Sequence, residues 1–213
     1  LQSQLEKLRA FVASAPQLFP GLTDYVETFI VEAPMVLDLE LGIRKLLNGR
    51  ADMIALCHWN MNLDNGWFWR EADGTLKSGL LDWGSVGQMN VAQAFFGMSC
   101  AAEPEFLGAH RGELIELFVA EYAASGGPLI EVEDMAFMVR LSMAVLGVAW
   151  MLDAPSLVAQ QVPDYASVKD RTDPKLAGNF LARAQAHLLR VLMSEWRGDN
   201  IGGALREFAK RHG

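Results

Sequence analysis

Cysteine, histidine and clustered basic charge are all scarce in this sequence, and each scarcity excludes something. Two cysteines, Cys57 and Cys100, cannot make a disulfide scaffold and lack metal-ligand spacing. Their apolar neighbours mark them as reduced core thiols, which points to a cytoplasmic compartment. His110, His187 and His212 have no i, i+4 ligand partner, which argues against a zinc site. No Gly-x-Ser-x-Gly elbow surrounds Ser85, Ser99 or Ser142. With 18 Lys and Arg against 26 Asp and Glu, the formal charge of −8 argues against a nucleic-acid partner, which needs clustered cations. No secretory signal precedes the first helical stripe, and the chain starts Leu1-Gln2-Ser3-Gln4 without Met, so a trimmed chain is expected. The longest apolar stretch, 135–152, is interrupted by Arg140 and flanked by acids, and reads as a buried helix with no membrane partner.

What is present suits one sizeable core: 51% of residues are hydrophobic and 21% charged, the balance of a globular chain. Helical spacing of apolar residues predicts helices over 1–13, after the Asp24–Glu27 capping pair, and over 37–47, 86–98, 105–124, 131–152, 174–196 and 200–211. The connection over 156–173 is long for a compact domain and reads as a functional loop. Met135, Met138, Met143 and Met151 read as core filler. Only the middle differs. Asp73-Gly74 stands between Gly66-Trp67-Phe68-Trp69-Arg70 and Leu76-Lys77-Ser78-Gly79-Leu80-Leu81, a hairpin signal. Trp67, Phe68 and Trp69 are expected to pack against the helices. The hairpin would bring Asn65 and Asp82 side by side, as two ligands of one metal require.

The hairpin is framed by Cys57-His58-Trp59-Asn60-Met61-Asn62-Leu63-Asp64-Asn65 and by Leu80-Leu81-Asp82-Trp83-Gly84. This reads His-x-Asn-x-x-x-x-Asn, then an apolar run ending in Asp-Trp-Gly. The pattern resembles the protein-kinase signature His-Arg-Asp-x-x-x-x-Asn followed by Asp-Phe-Gly. Trp83 narrows the resemblance to the aminoglycoside phosphotransferase and choline kinase branch, whose members often read His-Gly-Asp-Leu-His-x-x-Asn and then Asp-Trp. Nothing diagnostic precedes Asp52, and after Asp82 the likeness rests on element order.

The resemblance implies an α+β, mostly α fold: the helical carboxy-terminal, substrate-binding lobe of a kinase-like enzyme, one domain over 1–213. The amino-terminal nucleotide lobe, with its Gly-rich loop and lysine, is absent from these residues. The implied activity moves the γ-phosphoryl group of ATP to a hydroxyl with magnesium, provided the missing lobe is supplied. Asn65 and Asp82 would hold the magnesium and, through it, the nucleotide; His58 would support the loop; Trp83 would pack into the lobe and Gly84 would permit the bend. The acceptor would be a small hydroxylated molecule, and an acidic cleft would suit a cationic one such as an amino sugar or choline. No oligomeric state follows.

Asn60 departs from the pattern, because the family carries its catalytic Asp there. An amide has no basic site near neutral pH, so the transfer would be impaired. Asp64, four residues on, is expected to be poorly placed as a substitute. Asn62 stands where members of the family it resembles often have His or Lys, and Gly87-Gln88-Met89-Asn90-Val91 where they often read Gly-Asp-Pro. Such acid-to-amide changes point to relaxed or altered chemistry. The alternative is a catalytically inactive, pseudokinase-like binding module, and behind both stands an unrelated helical interaction domain. On the bland reading His58 is a satisfied core histidine and Asp82 a carboxylate capping a turn.

Overall fold

Most of the architecture follows from apolar residues at helical spacing, and the structure, a computed structural model, describes residues 1–212, with Leu63 by its backbone alone. α1 (Gln2–Ser14) turns Leu5, Leu8, Phe11 and Val12 inward. After a 3-10 turn at Pro16–Leu18 come α2 (Val26–Glu32) and α3 (Met35–Gly49). The capping pair expected at Asp24 and Glu27 does not form. Glu27 accepts two hydrogen bonds from Arg9, at 2.7 and 2.8 Å, and Asp24 pairs with Arg197. Charge-assisted bonds to arginine outcompete the bare backbone N–H groups for both acids.

Four strands follow: β1 (Ile54–His58), β2 (Gly66–Arg70), β3 (Leu76–Leu80) and β4 (Val86–Asn90). β2 and β3 form the expected hairpin, in register from Gly66↔Leu80 to Arg70↔Leu76. Its turn uses Gly74 at φ 87°, a conformation open to glycine, and the Asp73 carboxylate accepts from the Thr75 N–H at 2.9 Å. β4 corrects the helix expected over 86–98. Its five residues pair antiparallel with β1, from Ile54↔Asn90 to His58↔Val86, and the helix starts only at Val91. The motifs therefore lie at the open end of the β2–β3 hairpin, as expected, where the chain crosses to the second two-stranded sheet, β1–β4.

The rest is helical: α4 (Val91–Ser99), α5 (Pro104–Ala124), α6 (Val132–Met151), α7 (Ala154–Gln161), the single turn α8 (Pro174–Ala177), α9 (Phe180–Gly198) and α10 (Ile201–His212). The mostly α, α+β class holds. Two boundaries differ from expectation. The 156–173 connection begins with α7, and the helix expected over 174–196 breaks at Gly178-Asn179, where the Asn179 side chain accepts from the Ala182 N–H and caps α9. α6 is buried on nearly every face, since α3, α4, α5, α9 and α10 all pack on it. The apolar window within Val132–Gln161 is 78% buried in the protein, as a core helix is.

Two polar ties fix the helices. Arg111 of α5 donates to both oxygens of Glu195 on α9, at 2.9 and 2.6 Å, in a site where Glu195 is 5% exposed. The same burial pushes the nearby Asp199 carboxyl above its ordinary value. The fully buried Trp196 packs edge-on against Phe29 at 4.8 Å and donates to Glu32 at 2.9 Å. Asn90, at the β4–α4 junction, is also fully buried. Its oxygen accepts from the Ala92 N–H at 2.9 Å and caps α4, while its Nδ2 donates to the Leu47 carbonyl of α3 at 2.8 Å.

Both Asn90→Ala and Asn90→Asp are expected to lower the denaturant midpoint, by about 2 kcal/mol or more in stability. The first removes the cap and the Leu47 bond. The second keeps a capping oxygen but turns a buried carboxylate toward a carbonyl.

Candidate functional site

The strand register brings the two motif segments together. Residues 59–65 run from the end of β1 to the start of β2, and residues 81–85 from the end of β3 to the start of β4. Because β1 pairs with β4 and β2 with β3, both connections cross between the same two sheets at the same end. The Leu81 N–H donates to the Asn65 carbonyl at 2.9 Å, one step beyond the Gly66↔Leu80 rung, so Asn65 and Asp82 flank that rung.

His58 ties the segments. It is 3% exposed, and its Nε2 lies 2.7 Å from the Leu81 carbonyl. A carbonyl only accepts, so Nε2 carries the proton. The ring also meets Trp83 edge-on at 5.1 Å, and Nδ1 is buried without a partner. Both contacts join the end of β1 to the turn after β3. Trp83 does not pack into the lobe as expected: it is 54% exposed, because the His58 ring takes the inner place and its own Nε1 bonds back to Leu80 O at 3.2 Å. Nor does Gly84 supply the bend. Asp82 does, in the left-handed region at φ 52°, ψ 60°, which aspartate tolerates better than most residues at a cost of about 1–2 kcal/mol.

The loop after β1 is held by amides. Asn65 Nδ2 donates to the Asn60 carbonyl at 2.8 Å, Asn62 Nδ2 donates to Asn60 Oδ1 at 2.8 Å, and Asn62 Oδ1 accepts from the Asp64 N–H at 3.1 Å. Asn60 therefore has its side-chain oxygen engaged, and among the described residues its Nδ2 donates to nothing. The loop is pressed against α4 from beneath: a Cβ built on Gly97 would sit 1.4 Å from the Trp59 carbonyl oxygen.

Two hollows meet at this loop. One, about 530 Å³, opens on the hairpin side between Gly66, Phe68, Leu80 and Trp83. The other, about 790 Å³, opens on the helical side between Trp59, Asn60, Trp150, Phe180 and Arg183. Asn62 lines both. Asp64 lines the helical cleft as well, on the same wall as Asn60. Arg171 and Thr172 line it too, so the expected functional loop does reach the cleft. Trp67, Phe68 and Trp69 are 57%, 55% and 40% exposed, which corrects their expected packing.

Among the described residues the Asn65 Oδ1 and both Asp82 carboxylate oxygens accept no hydrogen bond, and no group of three or more His, Cys, Asp or Glu converges elsewhere. One carboxylate and one amide oxygen suit a hard cation that takes its other ligands from phosphates and water. The two thiols are unreactive in character: burial pushes Cys57 up and Cys100 up to about 11.

No family model, curated protein or solved structure matches the chain.

Several lining residues escaped the sequence reading, notably Trp150, Arg171, Arg183 and Arg190. One signal was available: Arg183, His187 and Arg190 recur at i, i+4, i+7 on one face of α9.

Gly97→Ala is expected to displace the Trp59–Asn62 loop and cost about 3 kcal/mol or more, since the clash is with backbone. Thermal unfolding and a changed Trp59 fluorescence check it. The cleft loop should also respond to acid. Lys175, Thr172 and the Lys169 N–H hold the Asp164, Asp170 and Asp173 carboxyls, respectively, below their ordinary values. A depressed folded-state pKa contributes order above the unfolded value and loses it as pH falls through the folded one. Hydrogen exchange over 164–175 should therefore rise below about pH 4, ahead of exchange in α6.

Proposed function

We infer that this chain is the acceptor-binding lobe of a kinase-like small-molecule phosphotransferase, working at low efficiency because Asn60 stands in the place of a base. One observation carries the reading: the His58–Asn65 loop and the Asp82-Trp83-Gly84 turn cross side by side, tied by the His58–Leu81 bond, between a hollow on the hairpin side and a cleft on the helical side. Transfer of a γ-phosphoryl group needs such a meeting point, with donor phosphate and acceptor hydroxyl approaching from opposite sides in line.

In this reading Asn65 and Asp82 hold magnesium against the nucleotide phosphates, and His58 fixes the carbonyl that precedes Asp82. When bound, the metal would neutralise phosphate charge. The acceptor oxygen forms its bond to phosphorus as the bond to the leaving diphosphate oxygen breaks, and the hydroxyl proton passes to water. Asn60 cannot take it. Its amide oxygen, which accepts from Asn62 Nδ2, is not basic near neutral pH, and the free Nδ2 offers only a donor, which can hold the acceptor oxygen but not its proton.

That same Asn62–Asn60 bond favours the second reading, a pseudokinase-like module that keeps the cleft for binding. The two separate on one substitution. In Asn60→Asp, one carboxylate oxygen keeps the Asn62 N–H and the other is free to accept a proton. With magnesium, ATP and a panel of hydroxylated acceptors, in a protein that includes a nucleotide lobe, we expect phosphoryl transfer or ATP hydrolysis to rise about 10²-fold. An unchanged rate selects the binding module.

The hairpin hollow by itself offers no lysine, so magnesium–ATP should bind this chain weakly. Micromolar affinity by calorimetry would place the nucleotide site elsewhere.

A further inference from the structure

The cleft beside Asn60 carries more chemistry than the proposed function uses. Its walls are largely apolar and aromatic. Trp59 and Trp150 lie with ring centroids 5.2 Å apart, Trp150 is 51% exposed and Phe180 is 65% exposed, so two large rings face open space. Exposed aromatic rings in a concave site are the usual apolar body of a ligand pocket, with a few polar groups setting orientation.

The polar lining mixes amides, the acids Asp64 and Glu103, and cations, in a chain of net charge −8. Three arginines line the cleft: Arg171, Arg183 and Arg190. Arg171 donates to Glu103, and Arg190, 9% exposed, bonds Glu105 and approaches Glu103 at 3.8 Å. These two are matched by acids. Arg183 is not: among the described residues no carboxylate pairs with it, and its guanidinium lies over the Phe180 ring at 5.8 Å. An unmatched guanidinium on an aromatic wall is an arrangement that a ligand completes: an anion for Arg183 and a ring for the exposed aromatics.

Resting on the acceptor-lobe reading for the place of the cleft, we propose that its ligand is an aromatic hydroxy compound bearing a carboxylate, held by Arg183 and stacked between Trp150 and Phe180. This differs from the cationic acceptor that the overall acidity suggests. The acidity belongs to the chain as a whole, whereas the cleft presents the unmatched positive charge of Arg183, with Asp64 at the loop end beside Asn60. A polycationic amino sugar would meet that charge and gain little from the rings.

The test compares three probes of one shape: 3-(4-hydroxyphenyl)propionate, its uncharged amide, and the cation tyramine. Binding to the chain is measured by calorimetry and ligand-observed NMR, with neither nucleotide nor magnesium present. We expect the acid to bind about 10-fold tighter than the amide, with tyramine weakest. Arg183→Gln, a change at an exposed position without a protein partner, should erase the acid's advantage and leave the amide's affinity alone. Trp150→Ala should weaken the acid and amide together. Tyramine or kanamycin binding as tightly as the acid, no acid binding at millimolar concentration, or an acid preference that survives Arg183→Gln would each overturn the proposal. Its failure is separable from that of the phosphotransferase reading. Acid binding through Arg183 with a silent Asn60→Asp leaves the cleft assignment standing and removes the transfer; transfer to a cationic acceptor does the reverse.

Discussion

One bond from a buried imidazole to a carbonyl joins segments 23 residues apart, and the candidate site depends on it. His58 ends β1 and Leu81 follows β3, so the bond ties the strand that enters the loop to the turn that leaves the hairpin. Few other contacts could do this. The hairpin has two strands and exposed aromatics on its faces, and such a hairpin is marginal alone. The hairpin's connections run to the β1–β4 ladder, and His58 at the end of β1 ties it there through Leu81. With Nδ1 already unpartnered in the interior, losing the Leu81 bond would leave both ring nitrogens unsatisfied, which costs about 1–3 kcal/mol for each group. The left-handed Asp82 sits one residue beyond the bond, so its strained backbone is held from the side that His58 controls.

What was legible in the sequence was local. Asp73-Gly74 between apolar runs specified the hairpin because only a glycine turn closes there, and the long helices announced themselves by period. β4 was not legible. Val86-Gly87-Gln88-Met89-Asn90 is too short and mixed to show alternation, and it runs straight into the apolar α4; what makes it a strand is the edge of β1, some 30 residues away. Trp67, Phe68 and Trp69 misled for a related reason: an aromatic run says that a strand wants a partner surface, not that this chain supplies one. The loop amides could be ordered along the chain but not their bonds, since who donates to Asn60 is fixed by the turn between β1 and β2.

The cleft shows a different kind of illegibility. Trp59 comes from the β1–β2 loop, Trp150 from the end of α6, Arg171 from the segment before α8, and Arg183 and Arg190 from α9. Each alone reads as an ordinary surface or core residue. Only the packing of α7 and α8 on α9 makes them one wall, and only then is it visible that Glu103 and Glu105 are spent on Arg171 and Arg190 while Arg183 is left over.

The amides of the motif region also sort into two kinds once their bonds are known. Read along the chain, Asn60 and the amides of Gly87-Gln88-Met89-Asn90-Val91 both depart from the acid-bearing pattern that the sequence resembles, and both suggest altered chemistry. Asn90 does not bear that meaning. It is fully buried and uses both ends of its amide, the oxygen as a helix cap and the nitrogen as a donor to Leu47 of α3, which a carboxylate lacks. Its amide is a requirement of the β4–α4–α3 junction. Asn60 differs in the respect that matters. Among the described residues its Nδ2 bonds to nothing, its surroundings are partly open, and its oxygen is engaged by Asn62, a donor that would serve a carboxylate equally well. Packing and hydrogen bonding at Asn60 therefore accommodate a carboxylate as readily as an amide, whereas those at Asn90 require the amide.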